Sequence, residues 1–167
     1  MINFPTPEPA GSGQESVWDY PRPPVLRRCE KTVRILFDDC VLVESQNSIC
    51  VLETSHPPSY YIPLSDVDSD MLETAEAGGS FCEWKGMASY FDIVSAGRRA
   101  PRSAWTYPKP TAAFKKIKDH LCFFAQAMDA CYVGDDRVIP QPGGFYGGWI
   151  TPELVGPFKG VPGSNGW

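Results

Sequence analysis

Thr32-Val33-Arg34-Ile35-Leu36-Phe37-Asp38-Asp39-Cys40-Val41-Leu42-Val43 reads as two strands joined by a turn. Val33, Ile35 and Phe37 fall on one face of a period-two pattern, so the first strand has one apolar face to bury. Asp38-Asp39 supplies turn residues, and Cys40 to Val43 returns as the second strand. The same pattern repeats outward along the chain. Ile49 to Leu52, Tyr60 to Ile62 (closed by Pro63), Leu121 to Phe124 and Ala130 to Val133 are short apolar runs bounded by turn residues. Gly134-Asp135-Asp136 turns into Arg137-Val138-Ile139, and Phe81 to Val94 reads as a hairpin around Lys85-Gly86. Ser65-Asp66-Val67-Asp68 has the look of a helix N-cap, and Thr111 is placed to cap a short helix from Ala112 to Ile117. Many short strands at turn-punctuated spacing predict a mainly β domain with one or two short helices.

The chain's 167 residues are the size of one domain, and 43% hydrophobic content is enough for a core. A net charge of -5 argues against a general nucleic-acid binder. The one basic cluster, Lys115, Lys116 and Lys118, reads as a solvated face. No apolar run approaches the ~18 residues of a membrane span. The first residues, Met1-Ile2-Asn3-Phe4-Pro5, lack the apolar core of a secretion signal. The six cysteines show no CxxC spacing. They are expected to be reduced thiols in a cytoplasmic protein, with Cys40, Cys50, Cys122 and Cys131 packing as small hydrophobes.

Residues 1–14 carry three prolines and two glycines and read as a disordered tail. Residues 15–167 read as one domain. Within it, residues 140–167 change character. Pro142-Gly143-Gly144-Phe145-Tyr146-Gly147-Gly148-Trp149 has neither strand nor helix period, so it must wrap on the body as a strap or a lid.

Cys82-Glu83-Trp84-Lys85-Gly86 brings a thiol, a carboxylate, an indole and an ammonium into five positions. Alternation turns Cys82 and Trp84 to one face and Glu83 to solvent. Lys85, beside an indole, can donate to a carbonyl or an anion. Glu53 ends an apolar strand, where a carboxylate needs a partner, and Lys85 is the expected one. The pair is read either as acid/base machinery or as a structural bridge at the mouth of the sheets. A nucleophilic Cys82 would need a base, with His56 and Glu53 the available set. Asp129 reads as a turn cap or an acceptor from backbone amides, with a place in the site the less favoured alternative.

The order of Glu15-Ser16-Val17-Trp18-Asp19-Tyr20-Pro21-Arg22-Pro23-Pro24, Glu53-Thr54-Ser55-His56-Pro57-Pro58, Tyr60-Tyr61-Ile62-Pro63 and Cys82-Glu83-Trp84-Lys85-Gly86 resembles the domain of unknown function 427 family. Ala104-Trp105, Tyr107-Pro108, Met128-Asp129-Ala130-Cys131-Tyr132-Val133 and Pro140 to Trp149 continue the resemblance, which is greatest to the branch with a glycine-aromatic C-terminal extension. The resemblance implies a β-tent: two antiparallel sheets leaning together. Related tents, such as the ligand-binding domain of cereblon and the methionine sulfoxide reductase B type, often hold zinc through two CxxC pairs. This chain has none, so no metal is expected. A nucleotidyltransferase label sometimes attached to the family finds no support in the residues: there is no P-loop and no paired-aspartate metal motif. By analogy with tryptophan-lined tents, Trp84 and Trp105 would wall a pocket.

These readings converge on an aromatic-lined small-molecule site. Glu53 and Lys85 are the expected catalytic residues, and Trp84, Trp105, Tyr61, Tyr90, Tyr107, His56 and Tyr146 the binding residues. No cofactor is expected, which suits isomerisation, cyclisation, dehydration or hydrolysis by acid/base chemistry. The alternatives are a non-catalytic ligand-binding module and a protein-interaction module. An interaction module would fill the inter-sheet cleft with its own side chains, and both pocket readings would then fail. No nucleic-acid or membrane partner is expected, and a homodimer is left open.

Overall fold

The computed structural model describes residues 2–76 and 78–167. The first strands are β1 (Glu15–Ser16), β2 (Val25–Arg28), β3 (Val33–Phe37), β4 (Cys40–Ser45), β5 (Ile49–Leu52) and β6 (Ser59–Pro63). The middle of the chain forms β7 (Leu72–Thr74), β8 (Ser80–Cys82), β9 (Gly86–Val94), β10 (Arg99–Thr106) and β11 (His120–Phe123). The last are β12 (Ala130–Val133), β13 (Asp136–Arg137), β14 (Ile139–Pro140), β15 (Trp149–Ile150) and β16 (Leu154–Val155). The large sheet runs β2-β5-β6-β11-β10-β9-β7, with β8 paired to β9. The small sheet runs β13-β12-β3-β4. Both are antiparallel, and the chain is mainly β as its sequence predicts.

The β3–β4 hairpin forms as expected. Val33, Ile35 and Phe37 are fully buried, and Asp38 and Asp39 take positive φ of 50° and 59°. Two successive left-handed residues give the turn a twist that matches the strands it joins. Asp129 caps this turn: its carboxylate accepts from the Asp39 main-chain N–H at 3.0 Å. That bond, with Arg98 beside it, holds the Asp129 carboxyl below its usual pKa.

The two sheets face each other across a core. Tyr60 and Ile62 on β6, Ala104 on β10, and Leu121 and Phe123 on β11 meet Val33, Ile35, Phe37 and Leu42 there. Their alternates along the same strands, Tyr61, Trp105 and Cys122, lie on the opposite face of the large sheet with Phe114 and Ile117. The large sheet is thus apolar on both faces, which explains why its strands read as continuous apolar runs.

Several local expectations change. The helical elements are 3-10 segments, the longest being Ala112–Ile117 with a kink at Phe114. Ser65 falls inside the segment Leu64–Asp66, which has no side-chain cap; Asp68 caps the segment Ser69–Met71. Strands β2, β7 and β10 carry no clear alternation and escape a reading by period. Trp149, in a stretch without period, forms β15 against β14. Cys40 is exposed at the turn, while Cys50, Cys122 and Cys131 are buried; all six thiols are free. Residues 2–14 form no strand or helix; the Glu8 N–H donates to the Gly156 carbonyl at 2.8 Å, and Phe4 packs edge-on against Trp18. No helix among the described residues is long and apolar enough to cross a membrane.

Candidate functional site

The outer face of the large sheet floors a cavity of 670 Å³. Val51, Tyr61 and Trp105 rise from β5, β6 and β10, and Tyr90 from β9. The β8–β9 turn supplies Cys82, Trp84 and Lys85 from one side, and the C-terminal segment supplies Gln141, Phe145, Tyr146 and Lys159 from the other. All nine residues expected from the sequence line this one cavity: Glu53, Lys85, Trp84, Trp105, Tyr61, Tyr90, Tyr107, His56 and Tyr146. Its location differs from expectation. The space between the sheets is filled by side chains, as the interaction-module alternative requires, so no pocket lies in the cleft; the cavity lies instead on the other side of the large sheet, beside the C-terminal segment.

The β8–β9 turn is pinned from outside. Thr111 donates its hydroxyl to the Trp84 carbonyl at 2.6 Å and its N–H to the Lys85 carbonyl at 3.1 Å. This is why Thr111 makes no side-chain cap on its own 3-10 segment. Gly86 closes the turn at φ 108°, a backbone state that side chains disfavour. Glu83 is exposed as alternation predicts, and Trp84 and Lys85 are half-buried.

Glu53 does not pair with Lys85. Its carboxylate lies 3.1 Å from the Arg22 guanidinium and 3.5 Å from His56 Nε2. The Lys85 ammonium lies over the Tyr107 and Phe114 rings, 5.6 and 5.9 Å from their centroids. The reason is directional: Arg22, in a bend before β2, reaches Glu53 and the Thr54 carbonyl at the end of β5, whereas the β8–β9 turn places Lys85 over the Tyr107 and Phe114 rings.

His56 is held on both ring nitrogens by neighbours at the cavity wall. Ser55 before it adopts a positive φ of 71° and is fully buried. Gln141, only 3% exposed, uses its whole amide. Its Oε1 accepts from the Gly148 N–H at 3.0 Å, and its Nε2 donates to the Lys159 carbonyl at 2.9 Å and to His56 Nδ1 at 3.0 Å. The two backbone partners fix which end of the amide is nitrogen, so His56 Nδ1 is an acceptor and the ring proton sits on Nε2, toward Glu53. Burial is the main cause that lowers the His56 pKa to about 4, with Glu53 pulling the other way. The imidazole is therefore neutral near pH 7. Tyr146 packs edge-on against it, ring centroids 4.8 Å apart.

The aromatic walls are ordered by hydrogen bonds. Trp105 Nε1 donates to the Tyr61 hydroxyl at 3.2 Å. Burial pushes the Tyr61 and Tyr107 phenols up, so both stay protonated. Tyr90 and Ser80 share a 2.8 Å hydroxyl contact, and the Arg102 guanidinium stacks 4.1 Å from the Tyr90 ring centre. Phe145 stands exposed at the rim.

Cys82 lines the cavity, but His56 already has Gln141 on one nitrogen and Glu53 near the other, and neither of its contacts is the thiol. The Cys82–His56–Glu53 arrangement is thus not assembled as a nucleophilic triad. Among the described residues, no three His, Cys, Asp or Glu side chains gather as a metal would require.

Sequence reasoning weighed Gln141 only as part of a strap or lid and passed over Lys159 and Arg22. Gln141 sits within the Pro140 to Trp149 motif, so a signal existed. Lys159 had none: it reaches the site because its N–H donates to the Ser55 carbonyl at 2.9 Å, a contact spanning more than a hundred residues of chain.

No curated protein matches the chain. A family model does, over residues 25–134, which include β2 to β12, Glu53, His56 and the Cys82-to-Gly86 turn. The chain belongs to the family described as "Domain of unknown function (DUF427)".

Proposed function

We propose that this protein binds a small organic molecule in the aromatic cavity and transforms it by cofactor-independent proton transfer. The observation that carries the reading is the Gln141–His56–Glu53 array at the cavity wall. A neutral imidazole with its proton fixed on Nε2 donates to a substrate oxygen without changing its own charge. The adjacent Glu53 carboxylate, 3.5 Å away, takes or returns a proton. An ordinary N–H···O bond is about 2.7–3.2 Å, so neither group is locked onto the other. Lys85 orients the ligand from the facing turn, and Trp84, Trp105 and Tyr146 hold its flat body. Isomerisation, cyclisation, dehydration and hydrolysis all need only these elements.

The test is incubation with a cellular small-molecule extract, followed by mass spectrometry. The wild type should consume a component and yield a product of unchanged mass or one differing by a single water. Glu53→Gln should slow that conversion by about 10²–10⁴-fold while still retaining the component. Retention without conversion by both proteins would sink the catalytic reading. That outcome would favour the second reading, a non-catalytic binding module, to which the exposed rim rings of Phe81 and Phe145 lend support.

A further inference from the structure

We infer that the ligand of this cavity is a planar, conjugated carboxylate whose charged end is held by Lys85, an inference that rests on the small-molecule reading above. The charge inventory of the wall is the basis. Four charged residues line the cavity: Glu53, Glu83, Lys85 and Lys159. Glu53 is matched by Arg22 at 3.1 Å, and Glu83 is an exposed residue of the β8–β9 turn. Lys85 has no acidic partner within 4.0 Å among the described residues.

Lys159 spends one of its three donors on the Trp167 main-chain oxygen at 3.0 Å and lies over the Tyr146 ring. Lys85 makes no hydrogen bond through Nζ among the described residues. It lies over the Tyr107 and Phe114 rings. A chain of net charge -5 has ample carboxylates, yet leaves the Lys85 ammonium without one at the wall of this aromatic cavity. An aromatic cage for a cation is built the other way, with rings and no resident cations. Here the rings already face protein ammoniums, and a cationic ligand would meet like charge.

The donor set further narrows the anion. A phosphate calls for several convergent donors, from a guanidinium fork or a helix N-terminus. Arg22 is committed to Glu53, and among the described residues no 3-10 segment contributes its first residues to the cavity lining. A lysine acting as a point charge suits a single negative charge. The body of the ligand is set by the walls: Trp84, Trp105, Tyr107 and Tyr146 offer flat faces, and 670 Å³ admits a molecule of drug size. With the carboxylate at Lys85, the conjugated body extends toward Glu53 and His56.

Three naphthalenes of equal body and different charge test this by isothermal titration calorimetry: 2-naphthoate, 2-naphthalenemethanol and (2-naphthylmethyl)trimethylammonium. The naphthoate should bind at least ~10-fold more tightly than the alcohol, and the ammonium compound more weakly than either. Lys85→Met should erase the preference for naphthoate over the alcohol, and Lys85→Arg should keep it. Circular dichroism on both variants checks that the fold is retained. Equal binding of all three, a preference for the cation, or a preference that survives Lys85→Met overturns the carboxylate assignment while leaving the cavity reading intact. If none binds, or if Trp105→Leu and Tyr146→Ala leave binding unchanged, the cavity reading falls as well.

Discussion

At the scale of single residues, His56 is where burial and hydrogen bonding act against the ordinary chemistry of a side chain. Its pKa is lowered from 6.5 to about 4, so the fold excludes a proton that the unfolded chain accepts. Stability is therefore full above about pH 6.5 and falls as the pH drops toward 4, below which the folded state also protonates and the slope ends. A shift of this size corresponds to roughly 3 kcal/mol at about 1.4 kcal/mol per unit. Chemical denaturation at pH 4 and pH 7 should show wild type losing about that much more stability than His56→Asn on acidification. Equal losses would mean that His56 is not held neutral. The tautomer has its own readout: long-range proton–nitrogen correlation at pH 7 should place the proton on Nε2. Glu53, Lys85 and His56 were each legible as polar outliers in apolar or proline-rich runs. Their partners were not, because an ion pair depends on where side chains point after folding. Arg22 took the carboxylate that Lys85 was expected to hold.

Elements with a clear period and a definite turn were legible, and the β3–β4 hairpin is the best case. Its Asp-Asp turn also shows where local chemistry falls short of its ideal. Asp39 holds φ 59°, a conformation that glycine adopts freely, and only its main-chain N–H makes a hydrogen bond to Asp129. Asp39→Gly should raise stability by about 0.5–1 kcal/mol in denaturant titration, since the turn geometry is that of Asp-Gly hairpins. No gain would mean that the exposed carboxylate contributes more than its backbone costs. β10 was missed for a physical reason: Arg99-Ala100-Pro101-Arg102 offers no alternation, and the register shifts between Ala100 and Ala104. The strand exists because β9 and β11 flank it. The Ala112–Ile117 segment forms as a 3-10 turn rather than an α-helix, with its apolar Phe114 and Ile117 packed on the cavity-side face of the large sheet.

For the whole molecule, the C-terminal segment decides whether there is a cavity at all. Trp149 is fully buried, stacked on Tyr60 with centroids 5.0 Å apart, and donates its indole N–H to the Phe123 carbonyl at 3.0 Å. Trp149→Ala should cost about 3–5 kcal/mol, measured by equilibrium unfolding, because it leaves both a void and an orphaned carbonyl. A loss below 1 kcal/mol would show that the segment docks without depending on this anchor. Gly147 sets the approach: a Cβ there would lie 2.0 Å from Trp105 Cη2. Gly147→Ala should displace the indole or the segment, with a loss of about 1–3 kcal/mol and a shift in tryptophan emission. An unchanged spectrum and stability would contradict the packing. By itself the sequence determined the β class, the main hairpins and the set of aromatic and polar residues with chemistry to offer, because period, turn residues and side-chain type are local properties. Only the tertiary structure decided that the sheets close on each other and the cavity forms on the far face, that Gln141 and Lys159 join it, and that Glu53 answers to Arg22 and His56. Those outcomes depend on which strands become neighbours and how a period-free tail settles on them, and both are set by packing between residues far apart in the chain.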